Sequence, residues 1–227
     1  MRIGIIVQAR MNSSRLPGKM LKEAEGKPLV WYVFSSLDQC REVDLAILST
    51  SDLESDQPLA DYAATHKIPI FRGPLEDVSS RFLETVKEFE LDGFVRICGD
   101  SPLVDHRIID AAVKIFKTGK YDLVSNVIKR SYPKGQSVEV VSSKIYKEIM
   151  SDTLTEHEKE HVTVKLYENL ESLKYFSMES IDNHGEVQLS VDTEDDFISF
   201  DRMVNKMENP HWEYKWTEKL NMLERDI

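Results

Sequence analysis

Short apolar runs recur along the first half of the chain, and their spacing predicts its fold. Residues 3–7 form a β-branched run without polar alternation, which is typical of a strand covered on both faces of a parallel sheet. Runs of the same kind lie at residues 45–48, 68–71, 94–97 and 123–124. Between them, apolar residues recur at helical spacing in residues 29–37, 59–64, 78–89 and 108–116. This alternation predicts an α/β fold with a doubly wound, mostly parallel sheet, which binds ligands at the carboxyl ends of its strands.

The second half of the chain has a mixed pattern, which predicts a β insertion. Strands are predicted at residues 138–141 and 187–191, and a helix at residues 156–168. Thr193 and the three acidic residues after it form a typical helix start, so a helix is expected to run from there to Met207. We expect a single domain spanning residues 1–227, with its core ending near residue 207 and the tail, residues 208–227, packed onto it.

Composition and charge narrow the class of protein. The 227 residues are 41% hydrophobic and 30% charged, which is normal for a folded globular domain. The formal net charge of -11 argues against a nucleic-acid partner, because binding to a phosphate backbone depends on clustered cations. Neither a secretion signal nor a membrane-spanning run is recognisable. Cys40 and Cys98 are too few for a disulfide framework, so a cytoplasmic location is expected.

The loop after the first predicted strand, Gln-Ala-Arg-Met-Asn-Ser-Ser-Arg-Leu-Pro-Gly-Lys at residues 8–19, has the composition of a phosphate site. It holds three cations, Arg10, Arg15 and Lys19, among small polar residues in an otherwise acidic chain. Guanidinium and ammonium groups bind phosphate oxygens, and hydroxyls and loop amides supply further donors. The spacing fits neither the P-loop nor the dinucleotide fingerprint. A solvated basic loop is the alternative.

Two carboxylates at predicted strand ends suggest a metal site. Asp100 follows the strand at residues 94–97, and Asp192 follows the predicted strand at residues 187–191. Mg²⁺ prefers hard oxygen ligands and takes one or two protein carboxylates, with water and substrate phosphates in its other positions. The alternative is that Asp100 caps a turn and that Asp192 precedes a capped helix.

The motif at residues 8–19 resembles the opening motif of the cytidylyltransferases that activate acidic sugars, most of all the SpsF-like spore-coat branch. The related CMP-Kdo and CMP-sialate synthetases carry a Gly-Asp-x-Pro and a late Val-Asp-Thr motif, matched here around Asp100 and Asp192. The resemblance implies a nucleotide-diphospho-sugar transferase-like fold and a homodimer. It implies Mg²⁺-dependent transfer of CMP from CTP to an acidic sugar, with release of pyrophosphate, for surface polysaccharide biosynthesis. Asp100 and Asp192 would hold the Mg²⁺, and Asp100 would also be catalytic.

The same resemblance implies roles for further residues. The catalytic cations bound to the triphosphate would be Arg10, Arg15 and Lys19. The nucleotide-binding set would comprise Ala9, Asn12, Ser13, Ser14, Thr50, Arg72, Ser79 and Arg81. The acceptor-binding set would comprise Glu139, Glu160 and His161. Two departures weaken the acceptor set: Ser137 stands where the family usually has aspartate, and Val164 where its spore-coat branch usually has proline.

Three rival interpretations stay open. A nucleotidyltransferase of the same fold could use another nucleotide, or a sugar-phosphate, polyol-phosphate or phosphonate acceptor. A degenerate relative could bind nucleotide without turnover. Residues 157–161 read His-Glu-Lys-Glu-His, which fits the zinc-hydrolase pattern H-E-x-x-H, although the sequence shows no third ligand.

Overall fold

The computed structural model describes residues 1–224. Its strands are β1 (Ile3–Gln8), β2 (Glu23–Ala24), β3 (Lys27–Pro28), β4 (Leu45–Ser51), β5 (Ile70–Gly73), β6 (Gly93–Cys98), β7 (Leu123–Ser125), β8 (Glu139–Ser142) and β9 (Tyr175–Ser177). Its helices are α1 (Leu29–Leu37), α2 (Gln57–Thr65), α3 (Val78–Glu88), α4 (His106–Phe116), α5 (Ser143–Ile149), α6 (Glu156–Glu160), α7 (Val164–Glu168), α8 (Glu194–Asn205) and α9 (Trp216–Glu224).

The central sheet has the order β5-β4-β1-β6-β8-β7-β9, and β2 pairs with β3 in a separate hairpin. β1 lies parallel to β4 and β6, and β4 lies parallel to β5, so the carboxyl ends of these four strands share one edge. β8 is antiparallel to both β6 and β7, while β9 is parallel to β7. The predicted mostly parallel α/β sheet with a mixed second half is therefore confirmed.

The core covers both faces of the sheet, as the unbroken apolar run in β1 predicts. Ile3, Ile5 and Val7 pack into one cluster with α1 and α4, whereas Ile6 packs into the other with α3. All four side chains are fully buried. Successive side chains of a strand point to opposite faces, so an apolar run without alternation is the signature of two covered faces.

Side-chain caps fix where several helices begin. Asp77 accepts from the Ser80 amide at 2.8 Å before α3, and Asp105 accepts from the Arg107 amide at 3.0 Å before α4. At α8, the hydroxyl of Thr193 accepts from the Asp196 amide while the Asp196 carboxylate accepts from the Thr193 amide. This reciprocal capping box confirms the helix start predicted at Thr193.

The predicted strand at residues 187–191 is wrong. Gln188 forms only an isolated bridge with Lys134, and the chain then leaves to bond with a different segment, where the Val191 amide donates to the Asp100 carbonyl at 2.8 Å. Gly135, at φ 93°, permits this path, since a Cβ there would lie 2.6 Å from the Ser190 nitrogen. The run is apolar because Leu189 and Val191 are buried in the core, although neither residue belongs to a strand of the sheet.

The predicted helix at residues 156–168 is two helices, α6 and α7. The helical path ends at Glu160, because His161 adopts φ -106° and ψ 84°. The turn that follows places Val162 in the core, fully buried beside Leu166. No residue of α6 is buried, whereas Leu166 of α7 lies in the core. The break between the two helices lets the turn and α7 pack against the core while α6 stays outside it.

The tail is held to the domain by α9 and by a buried histidine. The Nε2 atom of His211 lies 3.0 Å from the Ser36 hydroxyl and 2.9 Å from the Tyr32 carbonyl oxygen, both on α1. On α9, Leu220 and Lys219 are buried, and the Lys219 ammonium donates to the Leu103 carbonyl at 3.1 Å. Among residues 1–224, no helix combines the length and the apolar character needed to cross a bilayer.

His211 makes the stability of the fold depend on pH. Burial lowers its pKa to about 4, whereas an unfolded histidine has a pKa of about 6.5. The unfolded chain therefore binds a proton that the folded chain excludes, and stability falls as pH drops from about 6.5 towards 4. Between pH 7.5 and pH 5, the free energy of unfolding, measured by urea denaturation, should fall by about 2 kcal/mol less in His211→Gln than in the wild type. The variant His66→Gln, which changes an exposed histidine, should show the same fall as the wild type. An equal fall in His211→Gln and the wild type would contradict this assignment.

Candidate active site

A polar cleft lies at the carboxyl edge of the sheet, where β1, β4 and β6 end. Its volume is about 190 Å³. The loop after β1 forms one wall, and the segments after β6 and before α8 form the other. The lining residues are Gln8, Ala9, Arg10, Ser13, Ser14, Arg15, Lys19, Met20, Val78, Arg81, Cys98, Asp100, Glu160 and Asp192.

The loop after β1 folds back on itself, so that its three cations face one cleft. The Gly18 amide donates to the Met11 carbonyl at 2.9 Å, and the Leu16 amide donates to the Ser13 hydroxyl at 3.3 Å. A short 3-10 turn at Lys19–Leu21 follows. These bonds join the two ends of the loop, and the predicted residues Arg10, Arg15 and Lys19 consequently all line the cleft.

Lys19 lies at the centre of the site, with its side chain only 9% exposed. Its ammonium donates to the Val191 carbonyl at 2.8 Å and lies 3.4 Å from Oδ2 of Asp100 and 3.2 Å from Oδ1 of Asp192. The Arg15 guanidinium reaches the same Asp192 oxygen at 2.9 Å. The structure thus brings together the cations and both carboxylates that the sequence singled out.

The two carboxylates suit a magnesium ion. Both contact one cation, the Lys19 ammonium, so oxygen atoms from Asp100 and Asp192 lie within reach of a single central charge. Within residues 1–224, no group of three or more His, Cys, Asp or Glu side chains is arranged to hold a metal. Two carboxylates offer the hard oxygen donors that Mg²⁺ takes from proteins when substrate phosphates and water fill its other positions.

Asp56, which sequence reasoning missed, organises the edge beside the cleft. Its buried carboxylate accepts from the Met11 amide at 2.6 Å, from the Thr50 hydroxyl at 3.0 Å, and from the amide and hydroxyl of Ser51 at 3.1 and 2.5 Å. It therefore joins the loop after β1 to the end of β4. The only local signal was an acidic residue just before a helix with proline in its first turn, which indicates a cap rather than a site.

Several predicted nucleotide contacts lie beside the cleft instead of lining it. Thr50 donates to Asp56, and the Asn12 amide donates to the Ser55 hydroxyl at 3.0 Å. The Ser79 hydroxyl donates to the Glu158 carbonyl at 2.6 Å. The Arg72 guanidinium donates to the carbonyls of Ser51 and Leu53 at 3.0 and 2.8 Å and to the Gln57 side chain at 2.6 Å. In this structure these side chains brace neighbouring segments.

Arg81 does line the cleft, although it is 1% exposed. Its Nη1 donates to the Pro74 carbonyl at 2.8 Å and its Nε to the Ser49 hydroxyl at 3.3 Å. Burial lowers the pKa of this guanidinium to about 10, so it stays protonated at neutral pH.

The predicted acceptor residues are dispersed. Glu160 lines the cleft, with a carboxylate oxygen 3.6 Å from Nη2 of Arg10. Glu139 is buried behind the cleft, 2.6 Å from Nη1 of Arg96 and 2.5 Å from the Tyr167 hydroxyl. Burial alone would raise the pKa of Glu139, but the Arg96 guanidinium and the hydrogen bonds from Tyr167 and Thr163 hold it below its usual range. His161 lies beyond the end of α6 and does not line the cleft.

The H-E-x-x-H pattern is not completed into a metal site. His157 and His161 lie one helical turn apart, since the His161 amide donates to the His157 carbonyl at 3.0 Å at the end of α6. The rings of His157 and His161 contact edge to face, with centroids 4.5 Å apart. Across residues 1–224, no further His, Cys, Asp or Glu side chain joins this pair in a group that could hold a metal, so the zinc-hydrolase interpretation gains no support.

The doubly wound sheet, the cationic loop after β1 and the facing carboxylates define a nucleotidyltransferase. Residues 4–223 match the family model for Cytidylyltransferase, and the chain belongs to this family. The resemblance to the cytidylyltransferases that activate acidic sugars is thus confirmed at the level of the family.

Relatives in sequence cover most of the chain. It is 30% identical to an uncharacterised protein of Methanocaldococcus jannaschii over 202 residues. This alignment covers 87% of this chain and 81% of that protein. It is 27% identical over 210 residues to the spore coat polysaccharide biosynthesis protein SpsF of Bacillus subtilis, covering 88% and 85% of the two chains.

Solved structures share the fold. A cytidylyltransferase from Leptospira borgpetersenii superposes with a TM-score of 0.93 at 24% identity, covering 100% of this chain and 95% of that one. CMP:2-keto-3-deoxy-manno-octonic acid synthetase, in complex with CTP, superposes with a TM-score of 0.70 at 16% identity, covering 91% and 99%.

The role of Asp56 can be tested with one isosteric change. Asp56→Asn places an amide among four donors, so we expect the free energy of unfolding to fall by about 2–3 kcal/mol. Because the loop after β1 then loses its anchor at Met11, affinity for CTP should fall roughly ten-fold or more, as measured by calorimetry. Asp52→Asn changes an exposed carboxylate in the same segment and should alter neither quantity. Unchanged CTP affinity in folded Asp56→Asn would show that the loop is positioned without this carboxylate.

Proposed function

We propose that the protein is a Mg²⁺-dependent cytidylyltransferase that transfers CMP from CTP to a small acidic sugar and releases pyrophosphate. The observation that carries this proposal is the convergence of Lys19 and Arg15 with the carboxylates of Asp100 and Asp192 in one cleft. Membership of the cytidylyltransferase family supports CTP as the donor. The name of the Bacillus subtilis relative supports an acceptor used in surface polysaccharide biosynthesis.

The protein groups would act by position and charge. Arg10, Arg15 and Lys19 would neutralise the triphosphate and hold its α-phosphorus in line with the acceptor hydroxyl. Mg²⁺ held by Asp100 and Asp192 would supply Lewis-acid stabilisation of the negative charge that develops on the phosphate oxygens. The acceptor oxygen forms its bond to the α-phosphorus as the bond to pyrophosphate breaks, and the hydroxyl proton passes to solvent. No covalent protein intermediate is needed.

On the acceptor side, one predicted residue borders the phosphate loop. Glu160 is the predicted acceptor residue that faces the cleft, and its contact with Arg10 places it near the phosphate loop. Glu139 and His161 stay predictions, as do the homodimer and the cytoplasmic location. A sugar-phosphate, polyol-phosphate or phosphonate acceptor remains the alternative, and an acceptor screen separates it from the acidic sugars.

Asp100→Asn tests this function. We expect the wild type to bind CTP in a Mg²⁺-dependent manner and to release pyrophosphate in the presence of 2-keto sugar acids. Asp100→Asn should lower the rate of pyrophosphate release by roughly 100- to 1,000-fold, because one preorganised electrostatic contact in the transition state is lost. The melting temperature should stay close to that of the wild type, since Asp100 is part-exposed.

The matched control is Asp195→Asn, an exposed carboxylate in the first turn of α8 that does not line the cleft. It should retain the wild-type rate. Near-normal turnover by folded Asp100→Asn would remove this residue from the reaction. Selective binding of another triphosphate would change the donor, and failure of the wild type to bind any triphosphate would overturn the proposal.

A further inference from the structure

Lys219, on α9, is a buried cation without a counter-ion. The residue is 0% exposed, and its ammonium donates to the Leu103 carbonyl at 3.1 Å. An ammonium has three donors, yet the part of the chain that the structure describes offers Lys219 this one hydrogen bond and no carboxylate oxygen within 4.0 Å. Lys19 and Lys165 are also buried, but each of them pairs with a carboxylate.

This charge is costly to the fold. Burial lowers the pKa of Lys219 to about 8, and the negative charge of Asp105 offsets this only in part. The side chain is therefore mostly protonated at neutral pH, in a place that disfavours the charge. An apolar side chain of similar length would fill the same space without that penalty. Stability alone does not account for a lysine at this position.

The tail does not need Lys219 in order to dock. The Arg107 guanidinium donates to the carbonyls of Glu213 and Trp212 at 3.2 and 3.4 Å, and the Trp216 amide donates to the Asp105 carboxylate at 2.9 Å. Leu220, next to Lys219 on α9, is buried in the core. These contacts hold α9 against the start of α4, so the bond from Lys219 to Leu103 serves another purpose.

That bond fixes the loop that carries Asp100. Residues 101–105, between β6 and α4, are all buried, whereas Asp100 before them lines the cleft. The Leu103 carbonyl also accepts from Nε2 of Gln136 at 2.7 Å, and Oε1 of Gln136 accepts from the Asp105 amide at 2.9 Å. The Val104 amide donates back to the Ser101 carbonyl at 3.2 Å, which closes a tight turn. A shift of Leu103 is therefore passed directly to Asp100, three residues earlier.

We propose that Lys219 is a positioning residue, which acts from α9 through the Leu103 carbonyl to hold Asp100 in the geometry that nucleotidyl transfer needs. This inference rests on the proposed function, in which Asp100 is a catalytic carboxylate. Lys219 itself does not line the cleft and touches no substrate. Its effect is large because a displacement of about 1 Å at a reacting group can lower a rate by roughly 100-fold. The tail is then a working part of the enzyme.

Lys219→Met separates this role from a contribution to stability. The urea midpoint should equal or exceed that of the wild type, because a buried charge is replaced by an apolar side chain of similar length. Amide hydrogen exchange in residues 101–105 of the unliganded protein should speed up by roughly ten-fold, since the loop has lost one hydrogen bond. Exchange in β1 should stay unchanged.

The same variant should show a split between kcat and KM. The kcat for pyrophosphate release should fall about 10- to 100-fold, because Asp100 is displaced in the transition state. The KM for CTP should stay near the wild-type value, since the cations of the loop after β1 are untouched. The matched control is Lys215→Met, which makes the same change at an exposed lysine just before α9 and should alter none of these quantities.

The alternative results are equally informative. A Lys219→Met variant that fails to fold, or that has a lower urea midpoint, would show that the charge serves stability and would overturn the proposal. Wild-type kcat in this variant, unchanged exchange in residues 101–105, or an equal loss in Lys215→Met would also overturn it. Failure of the wild type to release pyrophosphate would contradict the proposed function itself, while the exchange experiment still decides whether Lys219 holds the loop.

Discussion

The ammonium of Lys19, held between two carboxylates, is the contact on which the site depends. It joins the loop after β1 to the end of β6 and to the segment before α8, so three distant parts of the chain meet at one charge. Each carboxylate would otherwise be repelled by the other in a partly buried cleft, where opposite charges are attracted more strongly than in water. Arg15 adds a second cation to Asp192. The two carboxylates can therefore lie near each other in a protein that is acidic overall.

The polar residues of the site lie on two sides of the sheet edge. The carboxylates follow β6 and the segment before α8, whereas Arg81 and Asp56 belong to the side formed by β4 and β5. Asp56 accepts four hydrogen bonds without facing the cleft, and it sets the loop after β1 at a fixed distance from the end of β4. The two sides of the cleft are thus positioned by separate sets of buried contacts.

Sequence patterns predict the parallel part of the fold well, because strands such as β1 are buried on both faces and carry unbroken apolar runs. They fail where a buried apolar segment does not pair as a strand. Leu189 and Val191 are buried, but the Leu189 amide donates to Lys134 and the Val191 amide to Asp100, in two different segments. β9 gives little signal because it is only three residues long, and its Tyr175 and Phe176 are exposed at a sheet edge. In the site, clustered cations and carboxylates at strand ends are visible in the sequence. Asp56 is not, because its contact with Met11 spans 45 residues and depends on the finished fold.

The order in which the chain is synthesised bears on the central ion pairs. Lys19 lies near the beginning, and its partners Val191 and Asp192 lie 172 and 173 residues later. A nascent chain that has released only the first half from the ribosome holds every cation of the loop after β1, without the carbonyl and one of the carboxylates that surround Lys19. Long-range contacts of this kind form late, because the intervening chain must be complete before its ends can meet. The cleft is thus completed only after residue 192 has been synthesised, and a chain that stops before residue 191 lacks the Val191 carbonyl and the Asp192 carboxylate that surround Lys19.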